Sequence, residues 1–228
     1  MKTPIIGADG SMGKRYQTIL RYLDQAHVCA DKNHSKDQIM DMAMASDSII
    51  LTTPTDTHVD YLFELVPLKK PILCEKPISK NMKDLDSVLA FIKCRNDKFS
   101  MMNQYKLIDC AWSEGESYYN YFRHGSDGLL WDCIQIVGLA RGKVTLGQSS
   151  PMWQCMLNGR KLESSWMDWA YVQYVDDFLH GKYQDINEIR NTHEKVVELE
   201  KKGLWDYFSE ATSPKWPLES RPGRTLPG

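Results

Sequence analysis

The stretch Ile6-Gly7-Ala8-Asp9-Gly10-Ser11-Met12-Gly13 decides the fold, because it joins a short apolar run to a helical pattern. Gly10 and Gly13 occupy the second and third glycine positions of a GxGxxG turn, with Ala8 at the first, and the stretch also fits GxxGxxG from Gly7. Such a turn lets the backbone approach a pyrophosphate at a helix N-terminus, although glycines also serve ordinary strand-to-helix turns. The predicted dinucleotide contacts in this loop are Gly7, Asp9, Gly10, Ser11, Met12 and Gly13.

Outward from this loop, the first hundred residues alternate between short apolar runs and helical patterns. The runs predict strands at 3–6, 27–30, 48–52, 71–74 and 99–103. Between them, apolar residues recur at i, i+3, i+4 and i+7, as at Val59, Leu62, Phe63 and Val66. Alternating strands and helices with short connections predict an α/β fold: a doubly wound parallel sheet of the Rossmann type, covered by helices on both faces.

An acidic residue closes the second predicted strand. Asp31 follows Gly13 by 18 residues, where a carboxylate would accept hydrogen bonds from the adenine ribose hydroxyls of a dinucleotide. A solvated loop aspartate is the alternative interpretation. A carboxylate at this place favours NAD, because it would repel the 2′-phosphate of NADP, while the neighbouring Lys32 leaves NADP possible.

The second half of the chain has a different composition, with all seven tryptophans at or beyond position 112. An aromatic strand around residues 118–122 and strands at 143–148 and 153–157 are predicted, with a helix over 128–141 between them. Two more helices are predicted at 168–180 and 185–202. The predicted domains are therefore a dinucleotide-binding domain at 1–105, a small α+β domain at 106–211 and a Pro-rich extended tail at 212–228.

Composition excludes several classes of protein. The chain has 228 residues and a formal net charge of -2, which offers no overall attraction to nucleic acid or to an anionic membrane surface. No apolar stretch approaches the roughly 18 residues that suggest a membrane span, and no signal-peptide pattern precedes the first strand. The six cysteines are widely spaced, so we expect reduced thiols in a cytoplasmic protein, without a metal site.

Two further segments identify a family. Thr52-Thr53-Pro54-Thr55-Asp56-Thr57-His58 follows the third predicted strand, and Cys74-Glu75-Lys76-Pro77 follows the fourth. Together with the glycine loop, they resemble the Gfo/Idh/MocA oxidoreductases. The resemblance implies a Rossmann domain followed by an α+β domain with an open sheet, through which members usually form homo-oligomers. It also implies a hydride transfer between NAD(P) and a sugar, a polyol or a related cyclic compound.

The resemblance assigns Lys76 as the central catalytic residue. A lysine beside a nicotinamide can hydrogen-bond the substrate hydroxyl and stabilise a developing alkoxide. By the same resemblance, the residues that border the cofactor are Thr53, Pro54, Thr55, His58, Glu75 and Lys76 itself. Of these, Glu75 contacts the ribose or orients Lys76. Asn103 ends the fifth predicted strand, at the edge where open α/β sheets present ligands, and is a further predicted cofactor contact.

The family pattern breaks in the second domain. Many members carry Asp and, four residues later, His on one helix face. Asp132 matches the acid and is the second predicted catalytic residue, but Ile136 stands at the histidine position. Three interpretations follow: Lys76 acts alone or with Asp132, a nearby His124, Gln135 or Tyr105 substitutes, or the protein binds a dinucleotide without turning substrate over.

We therefore expect a compact member of this family with a shortened C-terminal domain. The predicted function is an NAD(P)-dependent oxidoreductase whose small polyhydroxylated or cyclic substrate lies between the Rossmann domain and the 128–136 helix. The alternative is a non-catalytic dinucleotide-binding sensor or assembly protein that keeps the fold.

Overall fold

The first sheet is parallel throughout. The computed structural model of the chain describes residues 2–96, 98–108, 115–120, 127–147, 150, 153–202 and 206–208. Within these residues, the strands of the first sheet are β1 (Lys2–Ile6), β2 (Ala26–Ala30), β3 (Ile49–Leu51), β4 (Ile72–Cys74) and β5 (Phe99–Met101). Their order is β2-β1-β3-β4-β5, and every neighbouring pair is parallel. The predicted doubly wound α/β fold is confirmed.

Helices cover both faces of this sheet. They are α1 (Ser11–Tyr22), α2 (Lys36–Met44), α3 (Thr55–Leu65) and α4 (Met82–Arg95). Successive side chains of a strand point to opposite faces, so Ile5 packs with the buried residues of α1, whereas Ile6 packs with those of α2, α3 and α4. Burial on both faces explains why the inner strands β3 and β4 are continuous apolar runs rather than alternating ones.

Polar side chains fix where two of these helices begin. Asn81 caps α4 by accepting a hydrogen bond from the Lys83 N–H at 2.9 Å. Ser35 and Gln38 form a reciprocal capping box at the start of α2.

The second sheet is mixed and smaller. Its strands are β6 (Ser117–Asn120), β7 (Val144–Gly147), β8 (Gln154–Leu157), β9 (Arg160–Leu162) and β10 (Asp206–Phe208), in the order β10-β7-β6-β8-β9. β9 is not among the predicted strands, although Asn158-Gly159 is a strong hairpin signal. Both residues have positive φ, 50° and 82°, as a tight Asn-Gly turn requires.

The predicted single helix over 128–141 is wrong. The chain forms two short helices instead, α5 (Leu129–Asp132) and α6 (Ile134–Leu139), separated at Cys133. Beside the break, the Asp132 carbonyl accepts a hydrogen bond from Lys76 Nζ at 2.8 Å.

The last two helices return to the first sheet. They are α7 (Ser164–Leu179) and α8 (Ile186–Lys202). The buried Tyr171, Val175 and Phe178 of α7 pack with α1, and Ile189 of α8 joins the cluster on the opposite face. The predicted domain boundary near residue 106 stays a prediction, and the tail at 212–228 lies outside the described residues.

The cysteines in the described residues are free thiols: Cys29, Cys74, Cys94, Cys133 and Cys155. Cys110 lies outside them. A search of the described helices finds none that is long and apolar enough to cross a membrane.

A buried histidine joins α8 to the loop after β4. His193 is fully buried, and its Nε2 accepts a hydrogen bond from the Ile78 N–H at 3.1 Å, while its Nδ1 lies 2.8 Å from the Ile189 carbonyl oxygen. An acceptor at Nε2 and a donor at Nδ1 define the neutral Nδ1–H form. Burial lowers the pKa of His193 to about 4, although the Ile189 carbonyl opposes the shift.

This histidine predicts a pH dependence of stability. Because its folded pKa lies below the unfolded value, the unfolded chain takes up the proton first, and stability falls as pH drops from about 6.5 to 4. We expect a loss of about 3 kcal/mol over that interval, which His193→Gln removes because glutamine does not titrate. Urea unfolding of both proteins at several pH values measures it, and parallel stability curves would contradict the prediction.

Candidate active site

The loops that follow β1 to β5 meet at one edge of the parallel sheet. In the loop after β1, Gly7 has φ +91°, and a Cβ there would lie 2.8 Å from the Thr52 carbonyl carbon. A Cβ on Gly13 would lie 2.3 Å from the Gly7 carbonyl oxygen. Gly10 is different, because a Cβ there would meet only that oxygen, at 3.3 Å. The fold requires Gly7 and Gly13, whereas the space beside Gly10 suits the close approach of a ligand.

Neighbouring strands hold the glycine loop in place. The N–H groups of Gly7 and Ala8 both donate to the Ala30 carbonyl, at 2.8 and 3.2 Å. The Thr52 hydroxyl lies 3.0 Å from the Gly7 carbonyl oxygen and donates to it. Gly10 is the N-cap of α1 and provides no side-chain acceptor for the first turn. Ser11 and Met12 therefore open a helix whose first amides are available to an anion.

Asp31 lies directly against this loop. Its Oδ2 accepts a hydrogen bond from the Asp9 N–H and its Oδ1 accepts one from the Lys32 N–H, each at 2.7 Å. Burial alone would raise the pKa of Asp31, but these two hydrogen bonds and the charge of Lys32 outweigh it and lower the pKa. An ionised carboxylate thus stands at the end of β2, beside a second acid, Asp9.

The segment after β3 begins α3. Thr53 and Pro54 precede the helix and Thr55 is its first residue. His58 is only 1% exposed, and its two ring nitrogens lie 2.7 Å from the Thr53 carbonyl oxygen and 2.9 Å from the Pro77 carbonyl oxygen. His58 therefore lies beneath two site loops and joins them through backbone oxygens. Its predicted contact with a cofactor stays a prediction.

A buried carboxylate supports the loop after β4. Glu75 accepts a hydrogen bond from the Tyr16 hydroxyl at 2.7 Å, and its other oxygen accepts the Lys76 N–H at 3.1 Å. Burial, followed by the charge of Glu75, raises the pKa of Tyr16 well above its usual value, so this phenol stays a donor. Tyr16 is a fully buried residue of α1. Its link to Glu75 spans 59 residues of sequence, which no local pattern reveals.

Lys76 reaches across to the second half of the chain. Its side chain is 19% exposed, its Nζ donates to the Asp132 carbonyl at 2.8 Å, and Asp132 Oδ1 lies 3.8 Å from the same nitrogen. The Lys76–Pro77 peptide bond is cis. The structure thus brings the two predicted catalytic residues together, with the amine held between a carbonyl and a carboxylate.

Asn103 follows β5 at the same edge and is 2% exposed. Among the described residues, its Oδ1 has no hydrogen-bond partner. An unsatisfied buried amide oxygen is costly, so it marks a place for a donor. The carboxamide of a nicotinamide supplies such a donor. With the space beside Gly10, this oxygen shows that the residues present fit a dinucleotide.

The position of the missing histidine is part of the core. Ile136 is buried in a cluster with Tyr105, Cys155, Leu157 and Leu162. Gln135, one proposed substitute, donates to the Met102 carbonyl at 2.6 Å and to Gln104 Oε1 at 2.7 Å. Tyr105 is another proposed substitute for the histidine, and burial raises its pKa well above the usual value. The remaining proposed substitute, His124, lies outside the described residues.

Comparison with known proteins supports the family assignment. The sequence model of the Gfo/Idh/MocA family matches residues 20–103. This family is described as an oxidoreductase family with an NAD-binding Rossmann fold. A search of curated proteins gives no match.

Solved structures share the fold at low identity. A myo-inositol dehydrogenase from Corynebacterium glutamicum is 13% identical with a TM-score of 0.68, and the match covers 89% of this chain and 97% of that one. A UDP-N-acetylglucosamine 3-dehydrogenase from Acidithiobacillus ferrooxidans is 12% identical with a TM-score of 0.66, over 87% and 96%. The WlbA dehydrogenase from Thermus thermophilus, solved with NAD and UDP-GlcNAcA, is 10% identical with a TM-score of 0.65, over 87% and 94%. The matched residues 20–103 include the Thr52–His58 and Cys74–Pro77 segments, which carry the resemblance to the Gfo/Idh/MocA oxidoreductases in the sequence.

Proposed function

We propose that the protein is an NAD(P)-dependent oxidoreductase that acts at a carbinol or carbonyl carbon of a small polyhydroxylated or cyclic substrate. The observation that carries this proposal is the Lys76 amine. It lies 2.8 Å from the Asp132 carbonyl oxygen, at the edge of the sheet that also presents the glycine loop and Asn103.

Lys76 and Asp132 divide the proton chemistry. The Lys76 ammonium donates a hydrogen bond to the substrate oxygen and gives it a proton as a carbonyl is reduced; in the reverse direction, the amine takes up the hydroxyl proton. The Asp132 carboxylate, 3.8 Å from Nζ, balances the ammonium charge. The nicotinamide, when bound, supplies or accepts the hydride. Glu75 positions the Lys76 backbone through its 3.1 Å hydrogen bond.

The residues at the edge of the sheet hold the cofactor in this proposal. The glycine loop and the first turn of α1 bind the pyrophosphate, Asp31 binds the adenine ribose, and Thr53, Pro54, Thr55 and Glu75 border the nicotinamide ribose. Asn103 Oδ1 accepts the carboxamide. Asp31 favours NAD over NADP because its ionised carboxylate opposes a 2′-phosphate.

The substrate class and the assembly are also part of the proposal. The similar structures named above include dehydrogenases of inositol and of UDP-N-acetylglucosamine, so neutral polyols and nucleotide sugars are the first compounds to test. We propose a cytoplasmic homo-oligomer formed through the second sheet.

A second candidate rests on one observation. Ile136 is buried in the core where many relatives have a proton-relaying histidine, which favours a dinucleotide-binding sensor or assembly protein without turnover. Titration calorimetry with NAD, NADH, NADP and NADPH tests the binding common to both candidates, and lack of binding by all four would overturn both. Absorbance at 340 nm with a panel of polyols and sugars separates them, since turnover that depends on Lys76 favours the enzyme.

Lys76→Met tests the catalytic assignment. Removing the amine takes away the proton donor but none of the proposed pyrophosphate contacts. We therefore expect turnover to fall by about a hundredfold or more, with the NADH dissociation constant within about twofold. Lys83→Met removes an exposed lysine of α4 and serves as the matched control. Retained activity in Lys76→Met would show that the assigned role is wrong.

Gly10→Ala and Gly13→Ala add the same methyl group to one loop. At position 13 the methyl overlaps backbone atoms, so we expect a loss of about 1–3 kcal/mol of unfolding free energy. At position 10 we expect the stability to change by less than about 1 kcal/mol while the NADH dissociation constant rises at least about tenfold, because the methyl occupies the space proposed for the pyrophosphate. Thermal unfolding measures the stability and calorimetry measures NADH binding. Normal NADH binding by Gly10→Ala would contradict the proposed pyrophosphate site in the glycine loop.

Asp31→Asn tests the choice of cofactor. The amide keeps one acceptor oxygen but removes the negative charge, so the ratio of NADPH to NADH dissociation constants should fall by about tenfold. Asp37→Asn, in the first turn of α2, changes the same net charge away from the loop. An unchanged ratio in Asp31→Asn would show that Asp31 does not select the cofactor.

A further inference from the structure

The helical turn α5 contacts both the second half of the chain and the Rossmann domain. Its side chains Leu129, Leu130 and Trp131 are buried and pack with β7 and α8, so α5 is anchored in the core of the second half. At its C-terminal end, the Asp132 carbonyl accepts the Lys76 amine. A four-residue turn thus carries the group that holds the proposed catalytic lysine.

The N-terminal end of α5 is also bound to the Rossmann domain. Asp127 lies two residues before the helix and accepts a hydrogen bond from the Thr55 hydroxyl through Oδ2 at 2.7 Å. Its Oδ1 lies 3.0 Å from Lys80 Nζ. Thr55 begins α3 and Lys80 precedes α4. The Asp127 carboxylate therefore bridges the N-terminal ends of two helices of the Rossmann domain.

The local backbone suits this bridge. Gly128, between Asp127 and α5, has φ +93°, in the region that favours glycine. The Asp127 side chain is 17% exposed, and both of its oxygens are engaged. Burial alone would raise the pKa of Asp127, but the hydrogen bonds from Thr55 and Lys80 and the charges of Lys80 and Lys76 lower it, so Asp127 stays ionised near neutral pH. A covered carboxylate with two donors orders its surroundings more than an exposed ion pair does.

We propose that Asp127 is a positioning residue that docks α5 on the Rossmann domain and thereby holds the Asp132 carbonyl and carboxylate at the Lys76 amine. Its catalytic consequence rests on the proposed function. Asp127 acts through α5, whose two ends are tied to the cofactor domain by two contacts five residues apart. With the contact at Asp127 removed, α5 keeps the contact at Lys76 but loses the one at its N-terminal end, so Asp132 is held less firmly at the amine. Under the proposed function, this lowers kcat by about tenfold or more and changes KM for the cofactor less.

The test observes the Lys76 amine directly and needs neither cofactor nor substrate. Reductive methylation with ¹³C-formaldehyde labels the lysine amines of the full chain, and Lys76→Met assigns the Lys76 resonance. In Asp127→Ala and in Lys80→Met, we expect this resonance to move at least halfway towards that of exposed lysines. A through-space charge effect would move it in opposite directions, since one variant removes a negative charge and the other a positive one. Lost docking moves it in the same direction in both.

Two controls complete the test. Asp60 and Asp127 line the same surface groove. Asp60→Ala therefore removes a nearby acid and should leave the Lys76 resonance unchanged. Asp127→Asn, which keeps an acceptor for Thr55, should move it less than Asp127→Ala, and circular dichroism verifies that each variant folds. Should Asp127→Ala fail to fold, Lys80→Met and Asp127→Asn carry the test. An unmoved resonance in the folded variants, opposite shifts, or an equal shift in Asp60→Ala would overturn the proposal. A failure to bind nicotinamide cofactors overturns the proposed function without affecting this result.

Discussion

A lysine ammonium is strongly hydrated in water. At Lys76, the Asp132 carbonyl oxygen at the end of α5 and the Asp132 carboxylate replace most of this hydration. The rest of the site depends on this exchange. It lies at the C-terminal end of α5, one residue before the break at Cys133. It also joins the Rossmann sheet to the second half of the chain at the point where a substrate oxygen would lie in the proposed reaction.

Buried polar side chains keep the loop that carries Lys76 in place from three directions. Tyr16 and the Lys76 N–H satisfy the Glu75 carboxylate, His58 contacts the Pro77 carbonyl, and His193 accepts the Ile78 N–H. Tyr16, His58 and His193 come from three different helices, α1, α3 and α8. Because an unpaired buried polar group is costly, such a set of contacts defines one loop conformation more sharply than apolar packing would.

Much of the fold was predictable because it follows from the local spacing of apolar residues along the chain. The parallel sheet and the order of strands and helices in the first domain both follow from patterns within a few residues. The pairing of Lys76 with Asp132 was predictable only through the resemblance to a family. The break at Cys133 was not predictable from the helical pattern over 128–141. The hairpin at Asn158-Gly159 had a local signal that the predicted strands left out.

The sequence by itself determined the glycine loop, the acid at the end of β2 and the Lys76 segment, since each depends on residue types at fixed short spacings. Only the tertiary structure decided that His58 is buried between two carbonyl oxygens, that Ile136 belongs to the core, and that Asp127 bridges Thr55 and Lys80. Short spacings encode periodicity and turns. Which distant donor meets which acceptor depends on how two sheets and their helices pack, and that information is spread over the whole chain.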